Sequence, residues 1–271
     1  MLFAQGFYFY YFCSNRKMMK KIALITGATS GIGRAAAQIL AAHAHDVIVT
    51  GRRAALLEET GQMIRETTGA DVLTLSFDVR DLEQVKEQLG SLPGKWNKVD
   101  VLVNNAGLAS GLSHIQDGDI EDWEKMIDTN IKGLLYVTRV ISPGMVERGS
   151  GHIVNIGSIA GKEVYESGNV YCATKHAVDA LNKGMRTDLA DHHIRVTAIN
   201  PGAVETEFSV VRFHGDRQKA DKVYEGFTPL YEQDIAEAIL FAVTRPPHVN
   251  INDMLIMPTA QASTSKTVKK L

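Results

Sequence analysis

KIALITGATSGIGRAAAQILAAHA, residues 21–44, decides the fold. Residues 21–26 are a short apolar run without helical period, which predicts a buried parallel strand. Glycines interrupt it at once, at Gly27, Gly31 and Gly33, and the alanine-rich stretch behind them predicts a helix. Glycines at such a junction allow a tight turn and let the backbone approach a pyrophosphate, while the helix N-terminus supplies amide donors. On the first strand of an alternating chain, the spacing G-x-x-x-G-x-G predicts dinucleotide binding rather than a mere turn.

The alternation continues outward. Strands are predicted at 46–50, 72–77, 99–104, 152–157, 194–200 and 251–257. Helical stretches lie between them, including long ones at about 120–147 and 168–192, and a last one at 233–243. This pattern predicts an α/β fold: one doubly wound, Rossmann-type parallel sheet of about seven strands, as a single domain over residues 20–259. Residues 203–228 have mixed polarity and are the candidate for a mobile lid. The tail, 260–271, reads as solvated and loosely ordered. Residues 1–19 differ from the rest: MLFAQGFYFYYFC is too short for a membrane span of about 20 residues, and its positive charge follows the apolar stretch, unlike a secretory signal. An extension ahead of the domain is expected, with Met18 or Met19 as the natural start.

The 271 residues are 45% hydrophobic and 22% charged, with a formal charge of -2. No long basic run offers a footprint for nucleic acid. Cys13 and Cys172 are the only cysteines, so neither a disulfide framework nor a thiolate metal cluster is expected. No metal site and no membrane partner are expected, and a reducing, cytoplasmic setting fits.

The second strand ends in VIVTGRR without an acidic residue to hold ribose hydroxyls. Arg52 and Arg53 stand there instead and suit a 2′-phosphate, so NADP is the expected cofactor. Asp78 ends the third strand, placed to accept from the adenine amino group or to cap the next helix. NNAG (104–107) closes the fourth, with Asn105 as the likeliest adenosine contact. In YCATK, Tyr171 and Lys175 stand four residues apart, on one helix face.

Taken in order, TGATSGIG, NNAG, Asn130 in DTNIKG, Ser158 in NIGSIAG, YCATK and NPGAVET resemble the short-chain dehydrogenase/reductase family over nearly all of residues 20–259. The resemblance implies Tyr171 as catalytic acid/base, its pKa lowered by Lys175 and by the oxidised nicotinamide. It implies Lys175 on the nicotinamide ribose, Ser158 on the substrate oxygen and Asn130 holding a relay water. Further cofactor contacts are expected from Thr29, Ser30, Ile32, Val79, Ala106, Gly107, Pro201, Gly202, Val204 and Thr206. A homotetramer is implied as well.

The second half is similar to the bacterial NADP-dependent 3-hydroxy acid dehydrogenases, the serine and L-allo-threonine dehydrogenase group. That implies a small hydroxy acid or the matching semialdehyde as substrate. An acid needs a cation in its pocket; Arg212 is the candidate, with His214, Arg217 and Lys162 behind it. Lys162, Glu163 and Glu166 precede the tyrosine where pocket residues are expected. A 3-ketoacyl or other carbonyl reductase of the same family stays open, as does a non-catalytic NADPH-binding regulator.

Overall fold

Strand β1 (Lys21–Ile25) shows how the sheet is held. Successive side chains of a strand point to opposite faces. Ala23 and Ile25 join one apolar cluster, Ile22 and Leu24 the other. None of the four is more than 3% exposed. A strand apolar on both sides needs helices on both sides, which is why the run shows no alternation. Truncating a buried leucine such as Leu24 to alanine would cost about 2–5 kcal/mol.

The computed structural model describes residues 20–269. The expected extension over residues 1–19, its start at Met18 or Met19, and Cys13 lie outside the described residues. The strands that follow β1 are β2 (His45–Gly51), β3 (Val72–Ser76), β4 (Val99–Asn104), β5 (Gly151–Ile156), β6 (Ile194–Pro201), the two-residue β7 (Val204–Glu205) and β8 (Leu230–Tyr231), and β9 (Asp253–Ile256). Seven of them form one parallel sheet in the order β3-β2-β1-β4-β5-β6-β9, while β7 pairs with β8. The order reverses between β1 and β4, and ligands of open α/β sheets bind at that switch point, beyond the carboxyl ends of the strands.

The helices are α1 (Gly31–Ala42), α2 (Ala54–Thr68), α3 (Leu82–Leu89), α4 (Ile120–Ile127), α5 (Leu134–Arg148), α6 (Asn169–Asp188), α7 (Glu207–Arg212), α8 (Arg217–Lys222) and α9 (Glu232–Val243). Leu40, Leu57 and Ile239 bring α1, α2 and α9 onto one face; Val85, Val137 and Met185 bring α3, α5 and α6 onto the other. Among the described residues no helix is long and apolar enough to cross a membrane.

Three expectations are corrected in detail. The long helix at 120–147 is two helices joined by a π turn, Asp128–Gly133. The wider turn accommodates Asn130, whose amide is bonded to the backbone of Leu108 in both directions. The helix-cap alternative for Asp78 fails, because Asp81 caps α3 by accepting from the Glu83 and Gln84 amides. The tail is not loose through Lys269: Gln261 Oε1 accepts from the Ala203 amide at 2.8 Å, and Glu163 accepts from the Thr264 amide at 2.9 Å.

Candidate active site

The glycine turn sits against the end of β4 because two polar side chains lace them together. Asn105 Nδ2 donates to the carbonyls of Thr26 (2.9 Å) and Gly27 (3.1 Å). Thr26 Oγ1 accepts from the amides of Asn105 and Ala106. Gly31 has φ +50°, in the left-handed region. Gly33 serves a different need from the one expected of it: it does not line the cleft. A Cβ there would lie 2.3 Å from the Gly27 carbonyl, so its role is to seat α1 on the turn. Ser30, the N-cap of α1, gives no side-chain cap to the helix amides. The first turn of α1 thus presents unspent donors to a cleft, which suits an anion.

That cleft, with a volume of about 280 Å³, runs from Arg52, Arg53 and Asp78 at one end to Ser158, Tyr171 and Lys175 at the other. Between them lie Gly27, Thr29, Ser30, Gly31, Ile32, Val79, Asn105, Ala106, Gly107, Pro201, Gly202, Val204 and Thr206. Chain segments far apart in sequence are therefore brought to one groove long enough to present two chemically different ends.

At the first end Arg53 Nη2 lies 2.9 Å from Thr29 Oγ1, 3.0 Å from Ser30 Oγ and 3.0 Å from Glu207 Oε2. Arg52 Nη1 lies 3.8 Å from Asp78 Oδ2. Asp78 is also gripped by Arg80 at 2.6 Å. Burial pushes its carboxyl up, but the bonds from Arg80 outweigh it and leave the acid below its ordinary value.

At the other end α6 presents Tyr171 and Lys175 one turn apart, both buried. Lys175 Nζ donates to the Ile156 carbonyl at 3.0 Å and lies 6.0 Å from the Tyr171 ring centroid. Burial lowers its ammonium to about 8. In the free chain the Tyr171 phenol is pushed up: burial dominates, the neighbouring Tyr165 adds to it, and the Arg212 charge and a hydrogen bond with Ser158 only partly oppose them. Ser158 caps a short turn through Ala160 N, and its own amide is held by Asn200 Oδ1 at 3.2 Å. Asn130 Nδ2 donates to the Leu108 carbonyl and to Thr174 Oγ1, and its Oδ1 accepts from the Leu108 amide.

Of the four candidate cations, the structure brings Arg212 to Tyr171. Its guanidinium carbon lies 5.0 Å from the Tyr171 ring centroid, 5.4 Å from Phe208 and 5.7 Å from Tyr165. Arg212 Nη2 donates to Tyr165 Oη at 2.5 Å, and the buried Nε has no acceptor among the described residues. Lys162 instead bridges Asp179 and Asp253 at 2.6 Å each. His214 faces Asp122 at 3.2 Å, and Arg217 is exposed. Glu163 holds the tail, and Glu166 lies 3.7 Å from His114, so neither enters the cleft. Sequence reading missed Tyr165, Phe208, Thr26, Asn200 and Glu207. Phe208 was within reach, since it stands four residues before Arg212 on one helix face; the others meet their partners only through the fold.

The family model for the short chain dehydrogenase matches residues 21–216. The chain is 49% identical over 250 residues to a Salmonella typhi protein named NADP-dependent 3-hydroxy acid dehydrogenase, covering 92% of this chain and 99% of that one. A Schizosaccharomyces pombe protein of the same name is 44% identical over 251 residues, 92% of this chain and 97% of that one. Among solved structures, the closed form of a serine dehydrogenase complexed with NADP+ superposes with TM-score 0.85 at 46% identity, covering 92% of this chain and all of that one (100%).

Proposed function

Because the chain belongs to the short-chain dehydrogenase family, we propose that it is an NADP-dependent oxidoreductase acting on the 3-hydroxyl of a small hydroxy acid, of the L-serine, L-allo-threonine, 3-hydroxyisobutyrate or 3-hydroxypropionate type, or reducing the matching semialdehyde. The observation that carries the substrate class is Arg212, boxed by rings against Tyr171 with a buried N–H unpaired. Leaving such a donor unsatisfied costs about 1–3 kcal/mol, and a substrate carboxylate relieves it.

NADP, when bound, supplies the hydride acceptor or donor and, oxidised, a positive charge. The uncapped start of α1 and the turn at Gly27–Gly31 hold its diphosphate, and Arg52 and Arg53 its 2′-phosphate. Asp78 and Asn105 line the adenosine end. Tyr171 takes the proton of the substrate hydroxyl in oxidation and returns it in reduction. Ser158 donates to the substrate oxygen, and Lys175 holds the ribose and adds charge beside the phenol. Arg212 engages the carboxylate, which fixes the distance between the acid group and the reacting carbon. Asn130 ties the loop after β4 to α6. The segment 203–228 closes over the substrate as a lid. The enzyme works as a homotetramer in the cytoplasm; exposed Ile120, Ile127 and Leu135 along α4 and α5 support the assembly.

The test is an initial-rate assay of NADP+ reduction with the four acids beside their methyl esters. Acids should exceed esters in kcat/KM by about 10- to 100-fold, the worth of one charge-assisted pair. Esters turned over equally well would remove the carboxylate from the reading and return the enzyme to the general carbonyl reductases.

A further inference from the structure

Three rings surround the Arg212 guanidinium, and one of them also offers an oxygen. Tyr165 Oη accepts from Arg212 Nη2 at 2.5 Å while Arg212 rests 5.0 Å from the centre of the Tyr171 ring. We propose that Tyr165 is a positioning residue: it pins the lid-borne Arg212 against the face of Tyr171, so that one guanidinium serves both the substrate carboxylate and the proton-transferring phenol. The inference rests on the reading of Tyr171 as the acid/base.

The chemistry of the anchor matters. A carboxylate in the place of Tyr165 would hold Arg212 equally well but cancel its charge. Burial pushes the Tyr165 phenol up, so it stays neutral and leaves the whole positive charge facing Tyr171. A cation against an aromatic face is attracted to the ring itself, and more so once the phenol has ionised. The Lys175 ammonium, by contrast, is lowered by burial to about 8.

The other groups around Tyr171 leave this role open. On its own helix stand Lys175 and Cys172, whose thiol burial keeps protonated. The turn after β5 brings the neutral Ser158 hydroxyl, and α7 brings Phe208 beside Arg212. The α4 side brings Trp123, Met126 and the buried Asp122. That carboxylate is engaged by Ser110 at 2.6 Å, His214 at 3.2 Å and Lys125 at 3.6 Å.

The experiment is the pH dependence of single-turnover NADP+ reduction by the full chain. It compares wild type, Tyr165→Phe and Arg212→Gln, each with 3-hydroxypropionate and with uncharged propan-1-ol. Both variants should move the rising limb to higher pH by about one unit with either substrate. Arg212→Gln should in addition lose the preference for the acid. A Tyr165→Phe enzyme that raises KM for the acid but keeps the wild-type limb overturns the proposal and leaves the carboxylate reading intact. A shifted limb with the acid preference kept in Arg212→Gln does the reverse. Should Tyr165→Phe fail to fold, ultraviolet titration of phenolate in Arg212→Gln against wild type decides: an unshifted phenolate curve overturns the proposal.

Discussion

The Arg52–Arg53 end of the cleft and the small pocket beside Tyr171 hold their arginines in opposite ways. At the adenosine end the Arg52 and Arg53 side chains are 58% and 48% exposed, and each faces a carboxylate, Asp78 or Glu207. In the pocket beside Tyr171, Arg212 is half-buried among rings and bonded to a neutral phenol. Exposed ion pairs are worth about 0–1 kcal/mol, so giving up these carboxylates would cost Arg52 and Arg53 little. Among the described residues Arg212 forms no ion pair, although Asp122 lines the same pocket, and its field acts through a partly dry space. One region is built for exchange of partners, the other for a standing charge.

Tyr171→Phe should have the largest effect. It keeps the ring on which Arg212 rests and removes the proton acceptor. Turnover should fall by about 100- to 10,000-fold while NADPH affinity, read by fluorescence titration, stays near wild type. Retained turnover would leave Arg212 facing an idle ring and dissolve the contrast between the two regions.

Lys175→Met separates catalysis from stability. The buried ammonium has a folded value of about 8 against 10.5 for an ordinary lysine. Between those values the folded state binds fewer protons than the unfolded one, so stability rises with pH across the window. Below pH 8 the charge costs about 3 kcal/mol, which Lys175→Met should recover as a higher denaturant midpoint at pH 7. The gain should vanish above pH 10.5, and activity should be lost throughout. An unchanged midpoint at pH 7 would mean that water reaches this end of the cleft as freely as the other.

Arg52→Ala with Arg53→Ala tests the exchangeable end. Loss of a charge-assisted pair should cost about 1.5–3 kcal/mol of NADP+ binding and leave NAD+ affinity alone. Calorimetric titration with both cofactors reads the difference; equal losses for both would assign the arginines to the shared diphosphate. Glu207→Gln should have the smallest effect, tightening NADP+ by about two- to fivefold because Arg53 no longer has to leave a carboxylate. Weaker binding would show that Glu207 orients Arg53 rather than competing for it.

What the sequence made legible follows the same division. The glycine turn, Arg52, Arg53, Tyr171 and Lys175 were readable because each acts within a few residues of a strand end or one helical turn. The alternation of β1 to β6 with helices was readable because burial on both faces leaves continuous apolar runs. The Tyr165–Arg212 bond spans 47 positions and obeys no period. Lys162 carries the right charge before the tyrosine, yet Asp179 and Asp253 draw it away. The burial that raises the Tyr171 phenol in the free chain was hidden for a related reason: spacing shows which charges are near, while burial belongs to the whole fold.

The π turn at Asp128–Gly133 bears on what mutation can do to this gene product. Such a turn is geometrically an α-helix carrying one inserted residue. Deleting a single codon there would restore regular winding and leave α4 and α5 in nearly the same relative phase, at the loss of the widened turn. Met126 packs beside Tyr171, whereas Val137 and Met145 pack beneath β4 and β5. A one-residue deletion keeps both contacts but removes the widened turn in which Asn130 meets the backbone of Leu108. The stretch should therefore accept substitutions on its exposed side, such as at Lys132, and reject changes of length, a pattern that a deletion scan read against a substitution scan would reveal.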